Sequence, residues 1–147
     1  MKFLKIFLII FISINTSLKA DSKNILIQNL KQGGKLIFIR HAYAPGGGDP
    51  ENFNLDDCAT QRNLSKSGQI QAMKIGNFFI ENQIDIKKIY SSEWCRCKET
   101  ASIAFQNFET KSFLNSFFSS EFANNRQNQV TEFQKFLKNW DQKKNLI

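Results

Sequence analysis

His41 is the single histidine of this 147-residue chain, and Arg40 immediately precedes it. A second arginine, Arg96, follows the pair Ser91-Ser92 by less than two helical turns. If the two arginines meet around the imidazole, they form a phosphate cradle with a nucleophile inside it. Guanidinium forks match the spacing of phosphate oxygens. Neutral imidazole attacks phosphorus and gives a phosphohistidine that water then cleaves. The flanking positive charges lower the imidazole pKa, which keeps it neutral and ready. They also offset the charge on the transferring phosphoryl group. Arg62, just before an expected helix, is a further candidate for substrate binding.

Such a site needs elements that bring residue 41 and residue 96 together. "KLIFI" (35–39) is an unbroken apolar run of strand length, suited to a strand buried on both faces. Arg40 and His41 then sit at its carboxyl end. "NILIQNLKQGG" (24–34) reads as an amphipathic helix stopped by two glycines. Residues 42–63 hold both prolines and three consecutive glycines, and read as a long loop. The glycines lack the Lys-Ser/Thr that would follow them in a nucleotide-binding loop. Residues 64–82 read as a helix capped by Ser65. Residues 86–91 read as a second strand, and 92–108 as a helix capped by Ser92, with Ala101, Ala104, Phe105 and Phe108 inside. Residues 128–140 read as a further helix with Val130, Phe133, Leu137 and Trp140 spaced for burial, and 143–147 as the start of a strand. This order predicts an α/β fold: a three-layer sandwich around a mostly parallel sheet. In such sheets ligands bind beyond the carboxyl ends of the strands, where the two arginines and the histidine would converge.

The first twenty residues read as something other than fold. Lys2 and Lys5 precede "FLIIFISI" (7–14), and "NTSLKA" ends in a small residue before Asp21. That is the pattern of a secretory signal peptide, and the apolar run is short for a membrane span. The expectation is an exported protein, periplasmic or extracellular, with its domain in residues 21–147 and no membrane partner after cleavage. Loss of Lys2, Lys5 and Lys19 lowers the formal charge from +7 to +4. A mild excess of this kind suits a small anionic substrate, and no basic run interleaved with aromatics points to nucleic acid. Oligomeric state leaves no mark on the sequence.

Export exposes Cys58, Cys95 and Cys97 to an oxidising compartment. Three cysteines leave one thiol over. The expectation is one bridge, from Cys58 to either Cys95 or Cys97, because neighbours two apart on a helix point in different directions. The C-x-C spacing and the single histidine do not make a zinc site, and no cofactor is expected.

Four segments together resemble the histidine phosphatase (phosphoglycerate mutase-like) superfamily. They are "FIRHA" (38–42), "RNLSKSGQIQA" (62–72), "SSEWCRCKETA" (91–101) and the lead-in "LKQGGKLIFIRHA" (30–42). The resemblance implies a metal-independent phosphomonoester hydrolase or mutase acting through phosphohistidine, and export favours a phosphatase. By position, His41 is the phosphorylated nucleophile, and Arg40 and Arg96 bind phosphate. The proton donor varies within the superfamily; Glu121 is the first candidate, with Asp56 and Asp57 behind it. The superfamily also uses a second histidine on a strand after the last helix, which this sequence lacks. The expectation is phosphomonoester hydrolysis by a chain truncated at its C-terminus with its last strands missing, and so open to being inactive as it stands. The competing reading is a non-catalytic anion-binding or interaction protein.

Overall fold

The computed structural model describes residues 21–117 and 122–147. Residues 1–20, with the expected signal peptide, and Glu121 lie outside them. The elements in chain order are α1 (21–31), α2 (Lys66–Glu81), β1 (Ile86–Lys88), β2 (Tyr90–Ser91), α3 (Cys95–Phe105), β3 (Glu109–Thr110), α4 (Arg126–Lys138) and β4 (Asn145–Leu146). The fold is mixed α/β, and its strand pairs are parallel. β1 pairs with β4, and β2 with β3.

The expected first strand is shorter in its pairing than the sequence suggests. Its one bridge joins Leu36 to Leu146. Ile37 N–H donates to the Leu146 carbonyl and Leu146 N–H to that of Lys35. β4 sets only two residues beside the run, so the ladder stops there. The result is two small sheets rather than one continuous sheet.

Two glycines end the first helical segment for a steric reason. Gly33 and Gly34 have φ of +75° and +67°, and a Cβ on either would strike the carbonyl oxygen of Lys143 or Gln142 at 2.6 or 2.5 Å. The chain can therefore turn and pass directly beneath 142–144 into residue 35. Asn145 locks this corner. Its side chain is almost fully buried, accepts from Lys35 N–H, and donates to the carbonyls of Leu30 and Asp85. A buried amide with all these partners fixes where α1, the 35–37 segment and β1 meet.

α2 starts where the sequence places it, with the Ser65 hydroxyl accepting from Gly68 N–H at 3.2 Å. Its buried face is Gly68, Ala72, Gly76 and Phe79, a small-residue stripe that lets α3 lie close. A Cβ at Gly76 would sit 2.2 Å from the Ala104 carbonyl oxygen. Leu30, Phe79 and Ile84 form the core, with Ile37, Ile39, Ile86, Phe105 and Ile147 packed on it.

Two helix expectations need correction. α3 begins at Cys95, not at Ser92, and its N-cap Trp94 makes no side-chain cap bond. It ends at Phe105, where Gln106 turns to φ +65°, so Phe108 lies beyond it. In α4 the buried residue is Gln129, while Val130 is 37% exposed. Phe133 and Phe136 pack on Phe113, and Phe136 also meets Tyr90 edge to face. Phe133, Leu137 and Trp140 of the expected stripe are half buried, Gln129 takes the inner place expected for Val130, and Trp140 falls just past the helix.

Candidate active site

His41 leaves the end of the 35–39 run half buried. Its Nδ1 lies 2.7 Å from the Ala42 carbonyl oxygen. A carbonyl can only accept, so Nδ1 carries the proton and Nε2 keeps its lone pair in the neutral ring. Burial lowers the His41 pKa from its ordinary 6.5. The Ala42 bond works against this, and the charges of Arg96, Arg40 and Arg62 add to the lowering. The imidazole is thus held neutral with its nucleophilic nitrogen open.

Two helices fix the chain just after it. Ala42 N–H donates to Thr100 Oγ at 2.9 Å, and the Thr100 hydroxyl donates to the Arg96 carbonyl at 2.7 Å. Thr100 therefore couples the histidine to the turn of α3 that carries Arg96. On the other side Tyr43 N–H donates to Gln71 Oε1, and Ser65 N–H to the Tyr43 carbonyl. A Cβ at Gly68 would be 2.1 Å from that same carbonyl oxygen. Gly68, Gln71 and Ser65 recur in one segment because all three dock α2 against Tyr43.

The long loop is tied down throughout. Gln61 is buried, and its amide nitrogen donates to the carbonyls of Asn54 and Leu55. Its Oε1 accepts Cys95 N–H at 2.9 Å, supplying from the loop the cap that Trp94 and Ser92 do not give α3. Cys58 and Cys95 form a disulfide at the same place, and Cys97 remains a thiol. Asp57 caps its own short turn through Ala59 N–H, and Asp56 is exposed; neither hydrogen-bonds to His41 or to an arginine. Ser92 receives Trp94 N–H at 3.4 Å, and Ser91 donates to the Ser92 carbonyl.

One acid that the sequence did not single out sits at the centre. Asp49 Oδ1 pairs with Arg96 Nη1 at 2.7 Å and accepts Arg62 N–H at 3.0 Å, and its Oδ2 accepts Trp94 Nε1–H at 3.0 Å. Arg62 Nη1 donates to the Ala44 carbonyl. The Nε atoms of Arg62 and of Arg96 are both buried and have no hydrogen-bond partner. Buried guanidinium donors left open cost free energy unless an acceptor arrives. Arg40 is exposed and acts on His41 through its charge. A cavity of about 270 Å³ opens between the 36–41 and 89–92 segments, with Arg40, His41, Ser91, Ser92 and Thr100 among its lining and aliphatic and aromatic side chains around the rest; Arg62 and Arg96 lie outside that lining and reach His41 through their charge. Among the described residues, no group of three or more His, Cys, Asp and Glu is arranged to hold a metal ion.

The arrangement brings His41, Arg96, Arg62 and the charge of Arg40 together. It can bind a small oxyanion against two guanidinium groups and present it to a neutral imidazole. The comparison with protein families agrees with that chemistry: the family model of the histidine phosphatase superfamily (branch 1) matches residues 36–145. No curated protein and no solved structure matches the chain.

Proposed function

We propose that this chain, which belongs to the histidine phosphatase superfamily (branch 1), hydrolyses a small phosphomonoester through a phosphohistidine on His41. Phosphoryl transfer is the general chemistry of the superfamily. The observation that carries the finer reading is the pair of buried, partnerless Nε donors on Arg62 and Arg96 beside a histidine held neutral.

In the first half-reaction Nε2 of His41 attacks phosphorus, the N–P bond forms and the ester P–O bond breaks. The leaving oxygen takes a proton from a carboxylic acid, for which Glu121, Asp56 and Asp57 are the candidates. In the second, the carboxylate left behind takes a proton from water as that water attacks phosphorus, the N–P bond breaks with its electron pair returning to Nε2, and inorganic phosphate leaves. Arg62 and Arg96 hold the non-bridging oxygens in both, and Arg40 adds charge at the rim. The guanidinium groups supply the positive charge, so the scheme calls for no metal. We further propose export of the mature domain to the periplasm or outside the cell, and a three-layer sandwich for its fold.

Incubation with a ³²P-labelled phosphomonoester, followed by alkaline denaturation, tests the reading. An acid-labile, base-stable label that vanishes in His41→Ala supports it. Undiminished labelling or turnover in His41→Ala overturns the role of His41. Phosphate binding with no label at all favours the non-catalytic anion-binding protein.

A further inference from the structure

We infer that Asp49 is a positioning residue, which tethers Arg96 by one terminal nitrogen so that the other edge of its guanidinium faces the anion. The inference rests on the anion-site reading above. An arginine fork offers two edges to an oxyanion: the two terminal nitrogens, or Nε together with Nη2. Asp49 takes Nη1 at 2.7 Å, and the Arg62 carbonyl lies 3.5 Å from the same nitrogen. Nε has no partner. What remains for a ligand is the Nε–Nη2 edge, the one that binds two phosphate oxygens side by side.

The carboxylate does more than hold one arginine. It also accepts Arg62 N–H and Trp94 Nε1–H, so one acid fixes the loop on both sides of the site. Gly46 and Gly48, at φ +90° and +82°, reverse the chain that delivers it, which gives the triple glycine a purpose. The pair is well shielded, with side-chain exposures of 10% for Arg96 and 17% for Asp49. Burial opposes ionisation of Asp49, but its bonds from Arg62, Arg96 and Trp94 prevail and its pKa falls below the ordinary carboxylate value. A carboxyl held ionised is a poor proton donor, so Asp49 is not the missing general acid.

Two effects of removing it oppose each other. Loss of a negative charge near the site favours a bound anion, whereas loss of the tether leaves a long side chain to be ordered on binding. The three-point attachment makes the tether the larger effect. The experiment compares the wild type with Asp49→Asn, which keeps the shape and removes the charge, and with Asp49→Ala. Inorganic phosphate is titrated by calorimetry, and the Arg96 Nε–H signal is followed by ¹⁵N NMR, assigned through Arg96→Lys. The expected result is an ordered Arg96 Nε–H in the wild type that broadens in both variants, with phosphate affinity at least 10-fold weaker in Asp49→Ala. Tighter phosphate binding in the variants overturns the inference and makes Asp49 a competitor for Arg96. An unchanged Arg96 signal in a folded Asp49→Asn overturns it as well, whether or not phosphate binds. A wild type that binds no phosphate while its Arg96 signal still depends on Asp49 refutes the anion-site reading, and leaves Asp49 holding a purely structural ion pair.

Discussion

Opening the Cys58–Cys95 bridge should remove about 4 kcal/mol of stability and weaken the anion site at the same time. The bridge closes a span of 37 residues. The chain-entropy relation for such a loop gives a loss of about 13 cal/mol/K from the unfolded state, or about 3.8 kcal/mol at 25 °C. Domains of this size have only about 5–15 kcal/mol in all. With a urea slope of about 2 kcal/mol/M, the unfolding midpoint should fall by about 2 M. The bridge is reachable without unfolding: Cys58 is exposed, and a surface pocket lined by Asn63, Lys98, Glu99 and Phe108 opens onto it. Cys97 lines the cavity beside His41 instead, where burial raises its thiol pKa, so it does not compete for the bridge.

The assay is urea unfolding followed by Trp94 fluorescence, with and without a dithiol reductant, beside Cys58→Ser/Cys95→Ser and a Cys97→Ser control. One thiol should titrate in the denatured, unreduced protein and three after reduction. Phosphate affinity should fall with reduction, because Gln61 and Arg62 lie on the clamped loop and Cys95 adjoins Arg96. A midpoint shift below about 0.5 M, or three thiols before reduction, would refute the reasoning.

Four further outcomes follow from the site and its packing. The lowered His41 pKa means that the nucleophilic, neutral form persists below pH 6.5. Labelling rates should stay flat above that value and fall only as pH drops through the lowered pKa; in Arg96→Met the fall should move to higher pH, and rapid-quench labelling across pH 4–8 reads both. The unfolded chain takes up that proton first, so His41 also contributes stability that is lost as pH falls through its folded pKa, a dependence His41→Gln should remove in denaturant titrations. Gly68→Ala and Gly76→Ala place a methyl 2.1 and 2.2 Å from carbonyl oxygens of Tyr43 and Ala104. Each should cost about 1–3 kcal/mol, whereas Gly47→Ala, with open space around it, should leave the melting curve in place. Phe38 is 70% exposed beside a segment with one bridge. Analytical ultracentrifugation should show concentration-dependent self-association that Phe38→Lys reduces; a sharp, monomeric melt of the unaltered chain would refute this.

What could be read from the sequence is what local spacing encodes. Ser65 reads as a cap from its place before a helical period, whereas the docking of Gly68 and Gln71 on Tyr43 shows only in the structure. His41 and Arg96 could be paired because parallel strands deliver their carboxyl ends to one side. Asp49 and Gln61 could not, since their contacts reach 47 and 34 residues along the chain from an irregular loop with no period to read. The signal available was an acid directly after three glycines, placed where the chain must double back. The same blindness moved the start of α3: Ser92 has the right chemistry for a cap, yet Gln61 fills that role from across the loop. The continuous sheet was overread because strand composition at 35–39 says nothing of how many residues a partner sets beside it.

A cluster of arginines around a histidine creates its own difficulty, because the unliganded site repels itself. The structure meets this with acceptors at the terminal nitrogens: the Asp49 carboxylate on Arg96, and the Ala44 carbonyl on Arg62. Neither acceptor reaches an Nε. The satisfied donors hold the two side chains in place, and the proposed function assigns the unsatisfied ones to ligand oxygens. A ligand that completes both must offer at least two acceptors on a compact anionic centre. A single carbonyl or hydroxyl cannot do this, and a phosphoryl group can, which is why the proposed substrate is a phosphomonoester. The 42–63 loop carries Asp49, Gln61 and Arg62, and bonds from the first two tie it to Arg96 and to the start of α3. It is held still because an arginine that must be ordered anew for each substrate would lose much of its worth.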